Sequence, residues 1–74
     1  MDYDINKHFG KQIAQYRKDK GITQDELAFK CGMHRTYIGA IERGEKSPTL
    51  NTIYKLSIGL NIKISDIWEA LKIV

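Results

Sequence analysis

Apolar side chains recur along this chain at intervals of three and four residues, with little of the two-residue alternation that marks a strand. Ile5, Phe9, Ile13 and Tyr16 outline a first helix from Ile5 to about Lys20, and Gly21 stops it. A second begins at "TQDE", where Thr23 caps the amide of Glu26 while Glu26 reaches back, with Leu27, Ala28 and Cys31 facing inward and Gly32 closing it. The third is "MHRTYIGAIERG", residues 33–44, with Tyr37, Ile38 and Ile41 on its core side. "GEKSP" is a loop whose exit Pro48 fixes. A fourth helix follows with Thr49 as cap, buries Ile53, Leu56, Ser57 and Leu60, and ends at Asn61. The last carries Ile64, Ile67, Trp68 and Leu71. The pattern predicts an all-α, five-helix domain spanning residues 1–74, with no repeat or linker inside it.

The third helix is unusual on its other side, which receives Arg35, Thr36, Gly39, Ala40 and Arg43. A solvated face ordinarily carries long polar residues throughout, yet two central positions here are nearly bare. The joint with the preceding helix explains them. Counted from Gln24 as position one, small Ala28 stands at five, Gly32 at nine, Ile38 at fifteen and Ile41 at eighteen, with Leu27, Cys31 and Met33 at four, eight and ten. Ala28 suits a close helix–helix approach, Gly32 suits a turn that needs positive φ, and Ile38 and Ile41 lock the second helix to the core. This is the spacing of a helix-turn-helix, with the motif over about residues 23–43. In its DNA-binding form the second helix enters the major groove, where small central residues give clearance. Arg35 is then placed to read guanine and Thr36 to meet a base, with Arg43 nearer a phosphate.

On the same residues, "GKQIAQYRKDKGITQDELAFKCGMHRTYIGAIERGEKSP" with the helices after it resembles the Xre-type (phage repressor and Cro) helix-turn-helix domains, from about Ile5 to Leu71. The resemblance implies a repressor-like domain in which Gln24 contacts the DNA backbone and Arg35, Thr36 and Ala40 face bases beside Gly39. It also implies that the segment from Arg43 through Lys46 to Ser47 runs along phosphates. Arg17 and Glu42 match a structural ion pair that clamps the recognition helix to the first. Within the family, "HRTYIGAIERGEK" is most similar to controller proteins of restriction–modification systems, small dimeric regulators of transcription. His34 departs from the pattern, because relatives often carry Ser, Thr or Asp there as a helix cap; imidazole caps less well, and His34 is assigned instead to phosphate. Tyr37 borders the core with its ring while its hydroxyl is within reach of a phosphate.

Charge and composition adjust this picture only slightly. A net charge of +3 and a sequence pI near 9.1 permit a polyanionic partner without demanding one. Cys31 is the single cysteine, read as a small core residue, so neither an intrachain disulfide nor a cysteine-rich metal site is expected. His8 and His34 find no third ligand at recognisable spacing, and no catalytic constellation, cofactor or small-molecule substrate is expected. Asp25, Glu26, Asp66 and Glu69 are expected in first turns of helices, where the macrodipole favours them, and Lys7, Lys11, Lys18 and Lys20 read as a solvated face. The opening "MDYDINKHFG" lacks the order of a signal peptide and no apolar run is long enough to span a membrane, so a cytoplasmic protein is expected.

Ile58 falls off the buried stripe of its helix, and Ile73 and Val74 have little chain left to cover them. With Trp68 and Leu71 they suggest a C₂ homodimer through the last two helices, holding two recognition helices about 34 Å apart on a two-fold symmetric site in double-stranded DNA. RNA polymerase is a further partner open to such a regulator. The alternative is an antitoxin-like protein-interaction module that keeps the helix-turn-helix as scaffold, which the lack of aromatics on the recognition face disfavours.

Overall fold

The helices start where side chains take up their free amides. In the computed structural model, which describes residues 4–71, Asp4 accepts the Lys7 N–H (3.1 Å) and opens α1 (Ile5–Asp19). Thr23 and Glu26 form the expected reciprocal capping box at α2 (Gln24–Cys31), at 3.1 and 2.9 Å. After α3 (Arg35–Glu42), Thr49 accepts the Thr52 amide at α4 (Leu50–Leu60), and the Asp66 carboxylate accepts the Lys63 amide at α5 (Ile64–Ala70), both at 3.1 Å. No strand occurs among the described residues. Glu69 lies near the end of α5 rather than in its first turn, because the helix begins only at Ile64.

The turn that sets α3 against α2 runs through Gly32, whose φ of 67° an L side chain would resist, and the Met33 amide closes it onto the Ala28 carbonyl at 2.9 Å. Asn61 takes the same left-handed geometry (φ 54°) after α4.

One core joins all five helices. Phe9 and Ile13 of α1, Leu27, Ala28 and Cys31 of α2, Ile38 and Ile41 of α3, Ile53, Leu56 and Leu60 of α4, Ile67 of α5 and Leu71 just after it are buried together. Each of the larger side chains removes area worth about 1.5–3 kcal/mol from water. Ser57 is also buried, donating to the Tyr54 carbonyl at 2.6 Å. Ile5, expected inside, is half exposed, and so is Trp68, which the residue pattern assigns both to the core and to a subunit surface. They wall an open apolar hollow with Phe9, Ile53 and Leu71 instead of filling it.

The tightest helix contacts are made by two glycines. A Cβ on Gly10 would lie 2.7 Å from the Glu42 carbonyl oxygen, and one on Gly59 would strike the Cys31 sulfur. Gly10 thus lets α1 rest on the backbone at the end of α3, and Gly59 lets α4 rest on α2. Ala28 is buried, as its place in the motif requires.

A polar clamp holds the same α1–α3 contact. Arg17 donates from Nε and Nη2 to the two oxygens of Glu42, at 2.7 and 3.1 Å. Its Nη1 donates to the Ile22 carbonyl at 2.9 Å, and Gln24 Nε2 donates to Glu42 at 2.9 Å. The two charged side chains are only 12% and 7% exposed, so their mutual satisfaction decides whether the burial is tolerated.

Gly10→Ala is expected to lower stability by about 1–3 kcal/mol, although alanine is the better helix former, because backbone cannot yield to the added methyl. For a domain of this size that is roughly 4–8 °C per kcal/mol in thermal midpoint. An unchanged midpoint would show that the α1–α3 spacing is soft. Arg17→Met should cost about 3 kcal/mol in chemical denaturation, and adding Glu42→Met should recover much of the loss, since the single change strands a buried carboxylate.

Candidate nucleic-acid interface

The side of α3 opposite Ile38 and Ile41 is assembled by its own cap, by α2 and by the turn that follows. His34 is the cap: its Nδ1 accepts the Thr36 amide at 3.2 Å, which leaves the ring hydrogen on Nε2 as an outward donor. Imidazole therefore does here what a hydroxyl or carboxylate does elsewhere. The expectation that His34 is a poor cap is corrected, because its ring nitrogen accepts from the same amide that a Ser or Asp oxygen would serve.

Gln24, Arg35, Thr36, Gly39 and Arg43 line one depression on this side. Thr36 is exposed and Arg35 is 62% exposed at one end, and Arg43 is exposed at the other. Gly39 forms the floor, and it is covered by polar side chains and not by the core. A Cβ placed there would sit 3.1 Å from Arg43 Nη1 and 3.6 Å from Gln24 Oε1. Ala40 departs from its expected place on the outer face. It is only 7% exposed, although it lies outside the apolar core cluster, and the turn after α3 folds back so that the Glu45 amide donates to the Ala40 carbonyl at 2.9 Å. Ala40 thus leaves almost no surface for a base edge.

Both arginines of this side carry a carboxylate. Arg35 Nε lies 3.2 Å from Asp25 Oδ1, and Arg43 donates from Nε and Nη2 to the two oxygens of Glu45 at 2.9 and 3.1 Å. The hydrogen bond from Arg43 holds the Glu45 carboxyl below the usual carboxylate range and raises the Arg43 guanidinium in turn. Gln24 keeps one amide end on Glu42 while the other faces the depression. Tyr37 is half buried against the core. Lys46 and Ser47 are exposed, and Ser47 also edges the apolar hollow.

A cleft beside Arg43 was not foreseen from the residue pattern. Asp4, Lys7, His8 and Lys11 of the α1 end line it with Glu42 and Arg43, bringing two of the lysines assigned to an ordinary solvated face next to the outer side of α3. Their i, i+4 spacing was visible in the sequence; their neighbour in α3 was not.

On the far side, Ile58 is 60% exposed and continues a stripe with Leu50 and Tyr54 along α4, and Trp68 is half exposed on α5. Leu71 belongs to the core, which corrects its assignment to a subunit surface, because the hollow is closed from below by its side chain. Ile73 and Val74 lie outside the described residues. Phe29, on the outer face of α2, is 90% exposed and was missed. Cys31 is buried against Gly59, and that burial pushes its thiol up, away from nucleophilic use. No group of three metal-binding side chains occurs among the described residues, and no helix there is long and apolar enough to cross a membrane.

A helix-turn-helix family model matches residues 13–67. Control protein C.BamHI of Bacillus amyloliquefaciens is 40% identical over 70 residues, covering 93% of this chain and 86% of the relative. The crystal structure of the restriction–modification controller protein C.AhdI from Aeromonas hydrophila matches with a TM-score of 0.85 at 35% identity, over 88% of this chain and 98% of that one. A tyrosine-to-phenylalanine mutant of C.Esp1396I, bound to its highest affinity operator site, matches with a TM-score of 0.86 at 28% identity, over 95% and 92% of the two chains. The chain belongs to the Xre-type helix-turn-helix family, in the group that contains these controller proteins.

Proposed function

We propose that this protein is a sequence-specific regulator of transcription that binds a two-fold symmetric site in double-stranded DNA as a homodimer, and that it serves a restriction–modification system. One observation carries this: the exposed side of α3 is a depression floored by glycine, with a guanidinium at each end and Thr36 and Gln24 on its walls. A groove edge fits a concave, donor-rich surface, and no acid–base pair or nucleophile faces it. Its role is binding, not catalysis.

Arg35 and Thr36 supply base readout, and Gly39 supplies the clearance that lets α3 approach. Gln24, the Nε2 side of His34, the Tyr37 hydroxyl, Lys46 and Ser47 contact the backbone, and Lys7 and Lys11 extend that contact beside Arg43. Ile58 and Trp68, with Leu50 and Tyr54, form the subunit surface: four large apolar side chains exposed on α4 and α5 of so small a domain favour a partner of the same kind. On a promoter such a dimer excludes RNA polymerase or touches it, according to where its site lies. The cytoplasm is its place of action.

Selection of bound duplexes from a random pool should return a palindrome with half-sites about one helical turn apart; recovery of no common sequence would overturn the function. Arg35→Ala should lose about 1–3 kcal/mol on the selected duplex, relax one base position and change random-duplex binding little. Lys7→Gln and Lys11→Gln should weaken all duplexes alike, each lowering the salt slope by about one. Light scattering at tens of micromolar should give a dimer for the wild type and a monomer for Ile58→Glu. A wild-type monomer, free and on DNA, would remove the dimer.

A further inference from the structure

The two arginines of this face are each paired with an acid from a different element, Arg43 by two hydrogen bonds and Arg35 by one ion pair at 3.2 Å. Asp25 comes from the first turn of α2 and Glu45 from the turn beyond α3, and each meets its arginine at Nε. A guanidinium has a side edge, formed by Nε and one terminal nitrogen, and an end edge formed by the two terminal nitrogens. At Arg43 the side edge is wholly taken, Nε and Nη2 lying 2.9 and 3.1 Å from the Glu45 oxygens, while Nη1 projects over the Gly39 floor. At Arg35 the ion pair is likewise made through Nε, on a side chain that is 62% exposed. Either edge carries two parallel N–H groups able to match guanine O6 and N7, and with the side edge of Arg43 taken by Glu45 its end edge is the one left for a base.

A carboxylate on the guanidinium also alters what that cation attracts. An incoming phosphate meets a near-neutral pair and is repelled by the adjacent acid, whereas an uncharged base edge still finds two directed donors. The pairs are exposed, so they contribute little to stability and need another reason to exist. For Asp25 the positive end of α2 is a partial one. Glu45 has no such reason, since it stands outside any helix.

We propose that Glu45 and Asp25 are specificity-determining positioning residues, which hold Arg43 and Arg35 by their Nε edges and convert them from phosphate-seeking cations into base readers. Arg43 is then a second reader at the far end of the depression, and the phosphate contacts fall to the lysines around it. This rests on the DNA-binding function proposed above.

The test compares wild type, Glu45→Gln and Asp25→Asn on the selected duplex and on a random duplex of equal length, over about 50 to 300 mM salt. For Glu45→Gln, random-duplex affinity should rise about three- to tenfold, with a salt slope steeper by about one as Arg43 is freed for a phosphate. Affinity for the selected duplex should stay level or fall, so that the specificity ratio drops. Arg43→Ala added to Glu45→Gln should abolish the gain on random DNA, which a structural role for Glu45 would not produce. Asp25→Asn should shift the ratio in the same direction; the thermal midpoint should not move for Glu45→Gln, and for Asp25→Asn should fall only by the small amount that loss of a first-turn carboxylate costs. Equal tightening on both duplexes, or an unchanged slope, overturns the inference while leaving the DNA-binding function standing. A wild type that prefers no duplex overturns both.

Discussion

Everything presented to a partner depends on the carboxylate of Glu42. It accepts two hydrogen bonds from Arg17 of α1 and one from Gln24 of α2, while its own backbone lies against Gly10. Three helices are thereby referred to the last residue of α3. The charges are nearly buried, so the arrangement is stable only when complete. Completeness also helps to orient: Ile38 and Ile41 seat the eight-residue α3 on the core, and the bonds to Glu42 fix its last residue against α1 and α2. The bidentate pair with Arg17 and the bond from Gln24 settle which residues face out.

The face so presented combines steric poverty with controlled charge. Gly39 keeps the floor low, and its burial comes from Gln24 and Arg43, long side chains that can move aside, not from packed aliphatics. The cations at the two ends are offset by Asp25 and Glu45, while Lys7 and Lys11 bound a neighbouring cleft next to Arg43. Directed donors and diffuse positive charge are thus separated in space. That separation is what a surface needs if binding strength and choice of sequence are to vary independently.

The apolar surface of α4 and the hollow beside α5 follow a different rule. Leu50, Tyr54 and Ile58 share one line of α4, and Trp68 and Ile5 wall a hollow over Phe9 and Ile53. These residues are hydrophobic enough to resemble core members in a periodicity plot, yet among the described residues no sixth element covers them. A domain of five short helices has more apolar stripes than it has interior.

Helix content, boundaries and the turn were legible in the sequence because each is set locally: Thr23 with Glu26 and Thr49 with Thr52 cap within one turn, and Gly32 and Asn61 terminate by backbone conformation. The helix-turn-helix itself was equally legible, since positions fixed in spacing, not distant contacts, define the motif. Tertiary structure decided the rest. It placed Gly10 and Gly59 at the closest helix contacts, which no periodicity reveals, and moved Ile5 and Trp68 to the rim and Ala40 out of reach. It also brought Glu45 and Asp25 onto Arg43 and Arg35. Side-chain partners across turns depend on where elements come to rest relative to one another, and the order of residues along the chain does not encode that distance directly.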